Sequence, residues 1–445
     1  MSRVTEIIIL ICIVFFSSVH VFAAEEPIML ELDVAIKMAI ENNLQVKSAE
    51  TDVNNKQRSR DSVWNEFLPS ISASASLVRT NDEPVSFPGF PTSSQWSLAT
   101  SVGAQLTLSM NNVHAIRKAM LDYESGLTSL VKARSLMKQM VTQQFYSLLL
   151  MQEQLKIAQF SFENAAARFR QAQIDYRNGL ISEFEMLNTQ VYYENSKPAV
   201  VEIENTLSSM EAMFKLTLGF ELVDTIELKG SLEVEVKDYS ADELVKKYLN
   251  QRFDVIETRE AIALLQNSID MTSAMFFPSV TIGFTVDPTI NGPFEKDWFD
   301  GDNWSQPRGA FSISIRQLID PLIPNSKTQL TIAKLESQKA LTTEQLTYLY
   351  KSGESSIREK VKVLAKIGSG IKTKELSVRV AERAYALARE AYNAGGIDLL
   401  QLKDSEQELL RARLTLLQEK YNYLKGVLEL EYELNMDFSQ EGENK

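Results

Sequence analysis

Residues 67–77 read FLPSISASASL, and residues 276–286 read FFPSVTIGFTV. Both begin Phe-x-Pro-Ser and continue in strict alternation, at an offset of 209 (276 − 67). Ser70, Ser72, Ser74 and Ser76 alternate with Ile71, Ala73, Ala75 and Leu77. Val280, Ile282, Phe284 and Val286 alternate with Thr281, Gly283 and Thr285. A period of two, with one apolar and one small or polar face, marks a strand whose two faces meet different environments. Two further stretches alternate in the same way. One sets Trp96, Leu98, Val102, Ala104, Leu106 and Leu108 against Ser97, Ser101, Gly103, Gln105 and Thr107; the other sets Phe311, Ile313 and Ile315 against Ser312, Ser314 and Arg316. Four strands are therefore predicted, at about 69–79, 95–109, 278–287 and 308–318. The joining stretches 81–94 and 288–306 are rich in Pro, Gly, Asn, Asp and Ser and read as turn-forming loops. Trp298, Phe299 and Trp304, with Trp96 at a strand start, suit an aromatic interface belt.

A long helical segment follows each strand pair. Val141, Leu148, Leu155, Phe162, Phe169 and Tyr176 recur every seven residues, and Ile357, Leu364, Ile371, Val378, Tyr385 and Tyr392 do the same. Each member of the first run lies 216 before its counterpart (357 − 141). Smaller residues such as Ala158, Ala165 and Ala172, or Ala381 and Ala388, sit between them. A heptad repeat is the signature of coiled-coil packing, and alanine at the second seam position allows close helix approach. Residues 112–178 and 326–394 contain no proline, so each predicts one helix of about 100 Å at 1.5 Å per residue. Gly179 and the pair Gly395, Gly396 read as helix ends and tight turns. Second helices are expected at 183–216 and 397–436. The chain is thus expected to be a two-fold internal repeat, with residues 25–220 as its first copy and 251–436 as its second. A mixed segment (221–250) separates them, and a flexible tail (437–445) closes the chain. The offsets of 209 and 216 differ by seven, which places an insertion in the second copy, at Asp320–Pro324.

Composition bounds what such a chain does. It has 445 residues and a formal charge of −13, so it lacks the electrostatic footprint of a nucleic-acid binder. Arg3, the apolar run Ile7–Phe16 and Ala23-Ala24 have the order of a secretory leader, expected to cover residues 1–24. The only cysteine, Cys12, falls in that leader, as does His20, leaving His114 as the one histidine beyond it. No catalytic residue, metal cluster, cofactor site or phosphate-cradling loop is expected, so any energy must come from a partner. No later segment reaches 18 consecutive apolar residues, so an exported chain of this kind enters a membrane only as strands. Four strands cannot close a transmembrane barrel, for which roughly eight is the smallest size. An open edge in lipid leaves backbone groups unpaired, so the chain must share a barrel with copies of itself. Strand count alone leaves open whether two or three copies do so. A periplasmic coiled-coil adaptor or scaffold without a pore would account for the heptads but not for the strands.

Leu32-Asp33-Val34-Ala35-Ile36 with Asn42-Asn43, the strand starts FLPSIS and FFPSVT, and the tips YRNGLIS and YNAGGID make the chain resemble the TolC-like outer-membrane efflux family. The resemblance covers nearly the whole of the expected mature chain, in order and twice over. It implies a mixed α and β membrane protein: a homotrimer giving four strands per subunit to one 12-stranded outer-membrane β-barrel, continuous with a periplasmic α-helical coiled-coil barrel. It implies a channel subunit of a tripartite efflux or type I secretion system, working with a periplasmic adaptor and an inner-membrane pump. Residues 221–250 would form a belt at mid-tunnel. The family's periplasmic mouth is narrowed by acidic residues beyond the hairpin glycines. By that resemblance Asp404, Gln401, Glu185 and Tyr392 mark the gate, and Gly179, Leu180, Ser182, Gly395 and Gly396 the adaptor-docking tips. Two positions depart from the family pattern. Gln401 stands where a second aspartate is usual, and Ile397 where an arginine belongs to the closing network.

Overall fold

The computed structural model describes residues 28–81, 95–294, 296–305, 309–436 and 438. The expected leader (1–24) and most of the loop read at 81–94 lie outside them. The chain divides into two compact units: Met1–Lys47, Ala133–Tyr248 and Ser355–Lys445 form one, and Ser48–Lys132 and Leu249–Glu354 the other.

The second unit is built on an antiparallel sheet. Its strands are β2 (Ser70–Arg79), β3 (Trp96–Leu108), β5 (Ser279–Val286), β6 (Thr289–Asn291) and β7 (Gly309–Arg316); β1 (Ile28–Leu30) and β4 (Ile226–Leu228) pair separately in the first unit. The order is β2-β3-β5-β7, with β6 also pairing β3. Register keeps the two faces separate across every pair. Ile71 sits opposite Ala104, Ala104 opposite Phe284 and Phe284 opposite Phe311 on the apolar face, while Ser72, Gly103 and Thr285 share the other. The hydroxyls of Thr107 and Thr281 meet at 3.2 Å on that polar face. β2 and β7 are the edges, and all their residues are exposed.

The loop reading of 288–306 is corrected at its start. Thr289–Asn291 is a strand because Ser97, Leu98 and Ala99 of β3 still offer a ladder beyond β5. Thr100 donates to the Pro288 carbonyl from its backbone N–H (3.0 Å) and its hydroxyl (3.1 Å), which carries the chain past a proline that cannot donate. The residue that gains is Ile290, which is completely buried.

Helices α1 (Leu32–Asn42) and α2 (Leu44–Asp61) precede the sheet, and α5 (Ala241–Tyr248) and α6 (Phe253–Ser273) precede β5. The two long helices are α3 (Met110–Arg177) and α7 (Lys327–Asn393), of 68 and 67 residues; α4 (Glu183–Leu218) and α8 (Leu399–Leu434) have 36 each. β3 and α3 are joined through Ser109 alone, whereas residues 317–326 lie between β7 and α7 and contain the turn Asp320–Leu322. The helices of each half also end alike: Gly219 and Asn435, 216 apart (435 − 219), close α4 and α8 in the left-handed conformation.

The first unit packs on the heptad seam. Val141, Leu148, Ile357, Leu364 and Ile371 are at most 2% exposed, and Phe145 and Phe214 fill the space between. Toward the end of α3 the seam residues Phe162, Phe169 and Tyr176 are less covered while Ala165 and Ala172 stay buried. Phe162 and Phe169 stack on the two sides of Tyr193 of α4, with centroids 5.4 and 5.7 Å away.

Across this seam runs the extended segment 229–240, which follows the parallel β1–β4 pair. The Tyr423 hydroxyl accepts from the Lys237 backbone N–H at 2.9 Å. A Cβ on Gly368 would lie 2.5 Å from Val236 Cγ1, so α7 carries a glycine there because the segment crosses in contact. Phe438 packs its ring on Tyr239 at 4.7 Å, so the tail expected to be flexible from 437 is anchored at that residue. Gly368→Ala should destabilise the protein by about 1–3 kcal/mol through overpacking, although alanine is the better helix former. A thermal unfolding transition at or above that of the parent would contradict the close crossing.

Candidate functional site

Each hairpin tip is a helix end, a glycine in the left-handed region and a capped new helix. At the first, Gly179 has φ +70°, its N–H donates to the Tyr176 carbonyl (3.0 Å), and the Leu180 N–H donates to Asp175 (2.8 Å). At the second, Gly395 has φ +75°, donating to Tyr392 (2.9 Å), and Gly396 donates to Ala391 (2.8 Å). These paired bonds satisfy the last carbonyls of each long helix, and a β-carbon at the left-handed position is strained. Leu180 is 72% exposed. Its apolar side chain therefore projects from the first tip with little of its surface covered.

The sequence reading assigned Glu185 to a gate; the structure also gives it a local task. Ser182 accepts from the Glu185 backbone N–H at 3.2 Å, and the Glu185 carboxylate accepts from the Ser182 backbone N–H at 3.3 Å. This reciprocal box starts α4. At the second tip Asp398 accepts from the Gln401 backbone N–H at 2.8 Å and starts α8. Asp404 and Gln401 are exposed on α8. Tyr392 is partly covered; burial raises its phenol above the ordinary value, and Arg168 opposes that while Asp175 and Glu185 add to it. The four residues sit on three helices: Tyr392 on α7, Glu185 on α4, and Asp404 and Gln401 on α8, where both face solvent.

Ile397 packs against a buried cluster of Tyr385, Leu402 and Leu409. The cation of this region comes from elsewhere. Arg168 of α3 meets Glu406 of α8, Nη1 to Oε2, at 2.6 Å; Glu406 is fully buried and Arg168 15% exposed. Asn164 donates to the other Glu406 oxygen at 2.7 Å, and Arg168 Nη2 reaches the Tyr385 hydroxyl at 3.4 Å. Burial raises the Tyr385 phenol, and Glu406 pushes it the same way. Three helices, α3, α7 and α8, therefore share one buried polar cluster beside an apolar one. Sequence reasoning missed it because Asn164 and Glu406 are 242 residues apart, and neither position breaks the heptad pattern. The signal available was a charged residue on the helix face of Leu402 and Leu409.

Among the described residues no group of His, Asp or Glu side chains could hold a metal ion, and no helix is long and apolar enough to cross a membrane.

Residues 35–219 match the sequence profile of the outer membrane efflux protein family. No curated protein matches the chain. Among solved structures, the Campylobacter jejuni CmeC outer membrane channel superposes with a TM-score of 0.76 at 15% identity, over 93% of this chain and 88% of that one. The outer membrane protein VceC of Vibrio cholerae gives 0.73 at 16% identity, over 92% and 96%. The open state of the Neisseria gonorrhoeae MtrE channel gives 0.72 at 16%, over 91% and 89%. These likenesses establish the fold from end to end. The family profile covers 185 of the 445 residues (219 − 35 + 1) and likens that part of the chain to outer membrane efflux proteins.

Arg168→Leu leaves Glu406 buried without its cation and should cost about 3–5 kcal/mol, whereas replacing both residues by leucine should recover most of that loss. Heat dissociation of the purified protein measures the difference. A single variant as stable as the parent would contradict the buried pair.

Proposed function

We propose that the chain is one subunit of an outer-membrane exit duct, a passive channel for small molecules or proteins in a tripartite efflux or type I secretion system. The observation that carries this reading is the sheet: four principal strands, antiparallel, apolar on one face, with both edges open. Three copies would join β7 to β2 around a ring and close 12 strands, leaving no edge in lipid. The near-equal lengths of α3 and α7, and the equal lengths of α4 and α8, support an internal repeat, copies 25–220 and 251–436, divided by a belt segment 221–250. The barrel sits in the outer membrane and the helical part in the periplasm, where an adaptor protein and an inner-membrane pump supply cargo and energy. It is not an enzyme; the duct does no chemistry.

In this reading the two tips face the adaptor. The exposed Leu180, framed by Gly179 and Ser182, and the glycine pair Gly395, Gly396 are the docking residues. Asp404, repeated by symmetry, forms an acidic ring at the mouth, with Gln401, Glu185 and Tyr392 as its neighbours in closing. Single-channel recording tests the duct and the ring together. The parent should conduct with a preference for cations, and Asp404→Ala should reduce that preference; an unchanged preference and conductance would remove Asp404 from the mouth. Leu180→Asp places a charge on the first tip and should abolish adaptor pull-down and efflux while the protein still assembles. Full pull-down by this variant would place docking elsewhere.

A further inference from the structure

The polar face of the sheet carries few charges, and their places are informative. Within β2, β3, β5 and β7 the only charged residues are Arg79 and Arg316. Arg79 stands opposite Trp96 on the apolar face, with its guanidinium 5.8 Å from the indole centre. Arg316 pairs with Ser279 at the end of the sheet next to the long helices' start in sequence, on the polar face. The rest of that face consists of Ser, Thr, Gly, Ala, Gln and the valine Val78 near the end of β2, and of one further residue set just past the end of β5. That residue is Asp287.

Asp287 continues the alternation Ser279, Thr281, Gly283, Thr285 and so projects from the polar face. Its carboxylate accepts a hydrogen bond from the Ser101 hydroxyl at 2.6 Å. Ser101 lies inside β3, five residues from its outer end at Trp96 (101 − 96), and opposite Ser74 of β2. Asp287 is thus not on a loop tip. It is held against the wall, with β3 and β6 continuing past it. From Ser279 to Asp287 the strand advances about 26 Å at 3.3 Å per residue, or about 20 Å along the axis of a barrel whose strands tilt by about 40°. Arg316 and Asp287 therefore stand at opposite ends of the polar face of β5 and β7, and nothing charged on the four strands lies between them.

We propose that Asp287 is the charge-selecting residue of the barrel segment: a carboxylate fixed on a hydroxyl-lined lumen wall, which concentrates cations at the outer half of the duct. The inference rests on the barrel reading above and deepens it. A bare hydroxyl wall has no field of its own, so one fixed carboxylate per subunit sets the sign of the local potential. Thr285, two residues before it on the same face, lies about 7 Å away and reports that potential.

The test uses the full-length protein in planar bilayers, with Thr285→Cys as a reporter; Cys12, the chain's one natural cysteine, is replaced by serine. Cationic and anionic methanethiosulfonate reagents of similar size are compared by their rates of current block. A unit charge about 7 Å away in water should make the cationic reagent about threefold faster relative to the anionic one, allowing for screening. Asp287→Asn should bring the two rates together and leave assembly unchanged. Equal rates with Asp287 in place, or a bias that persists in Asp287→Asn, would overturn the assignment. So would block through Phe284→Cys in preference to Thr285→Cys, which would put the other face in water. A parent that forms no conducting assembly would instead overturn the channel reading itself.

Discussion

The unpaired edges of one small sheet set the terms for everything else in this protein. β2 and β7 each present a row of backbone donors and acceptors with no neighbour among the described residues. In water such an edge is a hazard managed by charge or covering; in lipid it costs several kcal/mol per group. Neither strand is short or bulged, and each carries one arginine at its end, so neither is protected as an edge exposed to water would be. The edges are complementary, antiparallel and at opposite ends of the sheet order. Cyclic repetition satisfies them all with one kind of contact.

The helical part meets a different constraint. Two helices of nearly 70 residues cannot be held by propensity alone, so their seams do the work. Large residues close the seam where the crossing segment 229–240 covers it, and alanines close it nearer the tips. Among those alanines and half-exposed aromatics lies the cluster of Arg168, Glu406, Asn164 and Tyr385. A buried ion pair contributes little net stability compared with well-packed apolar side chains, but it admits one register, because a slip of either helix strands a charge. In this chain the cluster stands beside the packed Ile397, so an apolar contact and a buried ion pair share that end of the helices.

Strands and long helices were legible because each repeats a simple period over many residues. Ser70–Leu77 reads as a strand from alternation alone, and 141–176 as a helix from heptads. Boundaries were legible only where a cap is written into the sequence. The start of α4 at Glu183 follows from Ser182 and Glu185, but α8 begins at Leu399 rather than 397 because Asp398 is its cap, a role that an aspartate after two glycines does not announce. β6 was hidden by Pro288, which reads as a loop signal yet needs only to accept from Thr100. The buried network and the Ser101–Asp287 bond were out of reach for a common reason. Each joins residues more than 180 positions apart, and single-chain periodicity holds no information about such pairs.

The account depends most on sheet closure by copies of the chain. Native mass spectrometry of the protein, released from membranes in mild detergent, counts those copies directly. The account predicts a particle of three chains that needs detergent to stay dispersed and dissociates on heating. A monodisperse single chain, soluble without detergent, would contradict it.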